Sequence, residues 1–179
     1  MNNINILFAG FGGQGILFAG KFLAYKGMLE GKEVSWLPSY GPEMRGGTAN
    51  CSVIISDEPI GSPIVDTPDA LVVMNLPSLD RYEDIVRPGG SIFVDSALID
   101  RKVKRTDVNV YYIPASTMAD QNKMSSLANM IITGKVMKEI DYLATGSIDD
   151  TLGKIVSARH QDRLKMNTDA LRLGMEYEG

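Results

Sequence analysis

The first thirty residues constrain the fold more than any other stretch. Ile4-Asn5-Ile6-Leu7-Phe8-Ala9 is a short apolar run that stops in the glycine cluster Gly10-Phe11-Gly12-Gly13-Gln14-Gly15. From Gln14 to about Glu30 the period changes, with Ile16, Gly20, Leu23, Ala24, Gly27 and Met28 recurring at three- and four-residue steps. A buried strand, a glycine turn and a helix in that order begin an α/β sheet. The small residues at 20, 24 and 27 predict a helix lying close on that sheet.

The alternation continues. Strands are predicted at Glu33 to Leu37 (stopped by Pro38), Thr48 to Ser56, Ala70 to Met74, Ser91 to Asp95 and Val108 to Pro114, with a short edge strand within Pro59 to Val65. Asn75 is placed to cap a helix with Pro77 in its first turn. Ser125 reads as the cap of a helix from Ser126 to about Tyr142, Ser147 with Asp150 as a capping box, and His160 to Tyr177 as a last helix. The fold class is α/β, three-layer α/β/α. Its sheet is mostly parallel and open, with at least one antiparallel or edge strand, because the strand at 48–56 follows its predecessor too closely for a helical crossover. No linker or repeat divides the chain, so residues 1–179 form one domain.

Scarcity excludes several chemistries. There is one cysteine, Cys51, and one histidine, His160. A cubane iron–sulfur cluster takes about four thiolates and zinc three or four ligands, so no metal site is expected within the chain. Cys51 sits in a strand pattern and reads as a small buried hydrophobe; His160, among charged neighbours, reads as solvated. A formal net charge of −4 without a basic stripe argues against nucleic acid. The N-terminus lacks the charge and length of a signal peptide, and no run approaches the ~20 apolar residues of a membrane span. A cytoplasmic protein is expected.

Gly10, Gly12, Gly13, Gln14 and Gly15 follow a strand and open a helix, the context in which G-x-G-x-x-G carries meaning. Glycines admit positive φ and close approach, and free N–H groups at a helix start attract an anion. A phosphate of a dinucleotide, or another anionic group, is one reading; a tight turn that packs well, or a partner's backbone, is another. A dinucleotide also calls for an acidic residue ending the second strand, and that place reads Val34-Ser35-Trp36-Leu37-Pro38.

Tyr40-Gly41-Pro42-Glu43-Met44-Arg45-Gly46-Gly47 is the most specific stretch. It leaves the carboxyl end of a strand, where open sheets receive ligands and partners. Arg45 offers a rigid fork of donors for a carboxylate or phosphate, Glu43 could pair with it or across an interface, and Tyr40 and Met44 supply soft apolar surface. These eight residues read as an interface. Asp95, Asp66 and Asp69 end strands or loops without pairing as acid and base, so no catalytic residue is assigned.

The glycine loop, the segment PSYGPEMRGGTANCSVIIS, the following DALVVMN and the later PGGSIFVDS together resemble the gamma subunit of 2-oxoacid:ferredoxin oxidoreductases, in the form of its 2-oxoglutarate and branched-chain 2-oxo acid members. The resemblance covers nearly the whole chain, and the stretch Leu127 to Gly134 extends it toward the C-terminus. It implies a heteromeric complex of cytoplasmic, anaerobic metabolism that cleaves a 2-oxo acid on thiamine diphosphate with Mg2+. Electrons pass through 4Fe-4S clusters to ferredoxin, and the acyl group goes to coenzyme A. The same resemblance implies alpha, beta and delta subunits as partners, with cofactors held by those chains and none by this one. It leaves the isolated chain inactive, with a homodimer open as its state alone. The rival is a stand-alone nucleotide-binding oxidoreductase using Gly10–Gly15.

Overall fold

The computed structural model describes residues 3–39, 48–144, 146–157 and 160–179. Strand β1 (Asn3–Phe11) lies near the middle of a six-stranded sheet. Its alternating side chains divide the interior: Ile4, Ile6 and Phe8 enter one core, Leu7 and Ala9 the other. The remaining strands are β2 (Glu33–Ser39), β3 (Thr48–Ser56), β4 (Ala70–Val73), β5 (Ser91–Asp95) and β6 (Asn109–Ile113). Their order is β2-β3-β1-β4-β5-β6.

Strands β1, β4, β5 and β6 pair in parallel, whereas β3 is antiparallel to both β2 and β1 and stands between them. The antiparallel strand expected at 48–56 is therefore present. Two of the strand expectations needed correction. β2 runs through Pro38 to Ser39, because β2 is the sheet's edge and a missing N–H there costs no ladder bond on its open side. No strand forms in 57–69, where Pro59 and Pro63 lack donors.

Helix α1 (Ile16–Leu29) crosses the face of β3 and β2. A Cβ on Gly20 would collide with Cys51 Sγ, and one on Gly27 with Ile55, so the predicted close approach is real and glycine is its condition. The same face carries α3 (Ala115–Gln121), α4 (Ala128–Glu139), α5 (Ile148–Ile155) and α6 (Gln161–Glu176). The opposite face is covered more thinly by α2 (Leu76–Tyr82), a helical turn at Glu83–Ile85 and the segment 96–108, which close over Leu71, Val73, Ile92 and Val94. This is the α/β/α layering, with unequal layers.

The expected caps at Asn75 and Ser147 form: Ser78 N–H donates to Asn75 Oδ1 at 2.9 Å, and Asp150 N–H to Ser147 Oγ at 3.1 Å. Ser125 caps nothing; it opens a short helical turn (Ser125–Leu127), and α4 begins two residues later than expected from Ser126. Helix α3 was not expected. Two glycines let α4 and α6 meet backbone to backbone: a Cβ on Gly134 would strike the Leu171 carbonyl, and one on Gly174 the Ile131 carbonyl.

Candidate functional site at the carboxyl edge of the sheet

The glycine loop sits where β1 ends, flanked by β4 on one side and β3 on the other. Gly10 lies within β1, opposite Ala49, while Gly12 and Gly13 are exposed beyond the strand. Gly13 (φ 91°) and Gly15 (φ 75°) occupy the left-handed region, which explains glycine at both. Gly15 is the N-cap of α1.

Gln14 closes the loop from inside. Its Oε1 accepts from Phe11 N–H at 2.6 Å and its Nε2 donates to the Met74 carbonyl at 2.9 Å, tying the end of β1 to the end of β4. A Cβ on Gly10 would sit 2.5 Å from Gln14 Oε1, so this glycine makes room for the glutamine. Asn129 holds the far side of the loop, its Nδ2 donating to the Gly15 carbonyl at 3.0 Å across 114 residues. A groove of about 270 Å3, lined by Phe11, Gly12, Gly13, Gly15 and the start of α1, remains open outside. The turn thus has internal reasons for its glycines and still presents backbone to solvent.

Residues Tyr40 to Gly47 lie outside the described residues. The ends of that segment are placed: Thr48 pairs with Phe11, and Ser39 with Asn50. Both motifs therefore issue from one sheet edge, side by side. The topology weighs against a dinucleotide. β3 intervenes between β1 and β2, and Glu33 pairs with Ser56 at the end of β2 remote from the glycines.

The acidic residues serve the fold. Asp95 ends β5 fully buried, accepting from Ser116 Oγ at 2.6 Å and from the backbone N–H of Ser116 and Ala97. Burial pushes its carboxyl up, while these hydrogen bonds act the other way. Asp69 accepts from Asn5 N–H at 2.7 Å and pairs with Arg87. Cys51 is wholly buried beneath α1, and desolvation pushes its thiol up to about 12. Its thiol donates to the Ile16 carbonyl at 3.5 Å, and His160 lies at the start of α6. Among the described residues no group of three or more His, Cys, Asp or Glu is arranged to hold a metal ion, and no helix is long and apolar enough to cross a membrane.

The residues that the sequence reading missed are Asn129, Arg163 and Asn167, which line a second cavity beside Gly15. Their convergence depends on the packing of α4 against α6, and no spacing announces it.

A family model for pyruvate ferredoxin/flavodoxin oxidoreductase matches residues 5–177. The chain belongs to this family. It is 39% identical over 175 residues to ketoisovalerate oxidoreductase subunit VorA of Methanothermobacter thermautotrophicus, covering 97% of this chain and 36% of that protein. It is 37% identical over 150 residues to 2-oxoglutarate synthase subunit KorC of Methanocaldococcus jannaschii, covering 82% of this chain and 80% of that one. The chain thus spans about a third of the ketoisovalerate relative and most of the 2-oxoglutarate one. The crystal structure of the gamma subunit of a keto/oxoacid ferredoxin oxidoreductase from Geobacter sulfurreducens superposes with a TM-score of 0.78 at 27% identity, over 97% of this chain and 96% of that one. The resemblance to gamma subunits read from the two loops holds.

Proposed function

We propose that this chain, folding as one domain over residues 1–179, is the gamma subunit of a multi-subunit 2-oxoacid:ferredoxin oxidoreductase. The complex forms acyl-CoA, CO2 and reduced ferredoxin. The observation that carries the reading is the match to KorC over most of both chains, since that relative is a subunit rather than a complete enzyme. The lone cysteine, buried under α1, accords with it: electron transfer would need clusters held by other chains. Thiamine diphosphate, Mg2+, the 4Fe-4S clusters and the ferredoxin contact belong to alpha, beta and delta partners, in the cytoplasm. 2-Oxoglutarate is the substrate we favour, with a branched-chain 2-oxo acid as the alternative that the VorA relative represents.

Within the complex, the Tyr40–Gly47 segment is the docking element, with Arg45 as its charged anchor. The exposed amides of Gly12 and Gly13 border the coenzyme A entrance. The shared edge supports this, because a partner seated on one motif would touch the other. Co-expression with alpha, beta and delta chains tests the reading. The complex reduces ferredoxin in a 2-oxo acid- and coenzyme A-dependent way, the chain alone does not, and assembly buries about 2,000 Å2 or more. Arg45→Ala lowers assembly or acyl-CoA formation while the isolated chain keeps its fold. Turnover by the lone chain, or full activity of that variant in the complex, would refute it.

A further inference from the structure

We draw no further inference here: the strongest candidate, the cavity between the N-terminal turns of α1, α4 and α6, rests on helix N-termini and an exposed Arg163, because the buried Oδ1 atoms of Asn129 and Asn167 do not open into it and nothing else there points to a ligand.

Discussion

Cys51 shows how strongly a single position here is governed by its surroundings. It lies under Gly20, whose missing side chain lets α1 settle on the sulfur, so the thiol is screened from water on every side. In the unfolded chain a thiol ionises near its ordinary value of 9.0; in the folded chain burial holds it protonated to about 12. The unfolded state therefore releases a proton that the native state keeps, and stability falls as pH rises from about 9 toward about 12. Cys51→Ala is expected to flatten that part of the alkaline decline in urea-derived unfolding free energies. The native thiol should also react with a thiol reagent only at the rate of unfolding; rapid labelling in native buffer would show that the sulfur is not enclosed. Strand patterning made this burial legible. The Gly15–Asn129 contact was not legible, because it joins residues 114 apart and neither carries a local pattern that names the other. Gln14 is intermediate: its place beside the glycines was evident, its bridge to Met74 was not, since side-chain reach across a loop follows from the fold.

At the level of elements, the crossing of α4 and α6 carries the most exacting geometry. Gly134 and Gly174 remove the side chains that would hold the two backbones apart, and Lys135 then reaches across, its Nζ donating to the Tyr177 carbonyl at 2.8 Å. Gly174→Ala must push α6 away from the Ile131 carbonyl, which is rigid backbone, and should cost about 1–3 kcal/mol or more in chemical denaturation. Gly153→Ala, in α5 with open space around it, should be neutral or stabilise by up to about 1 kcal/mol. Equal effects of the two would mean that the close crossing is not what the glycine serves. The elements were readable wherever hydrophobic runs and caps were strong: β4 and β5 from Val, Ile and Phe, α2 from Asn75 and Pro77. They were least readable where the elements were short and weakly marked. Helix α3 is seven residues of Ala-Ser-Thr-Met-Ala-Asp-Gln with no side-chain cap of its own, and it is held instead by Asp95 from the end of β5. A cap supplied 21 residues away leaves no signature in the helix itself.

For the whole molecule, the distribution of exposed apolar side chains bears on assembly. Phe11, Leu37, Leu76 and Leu98 are each 40–49% exposed; Phe11 ends β1, Leu37 lies two residues before the end of β2, and Leu76 and Leu98 follow β4 and β5, all toward the carboxyl side of the sheet. Four strands thus deliver an apolar residue to the edge from which the Tyr40–Gly47 segment leaves. Scattered exposed leucines are ordinary on a protein surface; alignment along one sheet edge is what interface centres show. If the edge is the docking face of the complex, Leu98→Asp should weaken association with the partner subunits about tenfold or more, read by sedimentation of the mixed chains. The Tm of the variant chain alone should not change, since Leu98 is 49% exposed and an aspartate there stays in water. The converse substitution, Ile64→Asp, alters a residue 63% exposed on the loop before β4, at the opposite end of the strands, and should leave assembly intact. Unchanged association in Leu98→Asp together with loss in Ile64→Asp would place the partners at the opposite edge of the sheet and detach the Tyr40–Gly47 segment from docking.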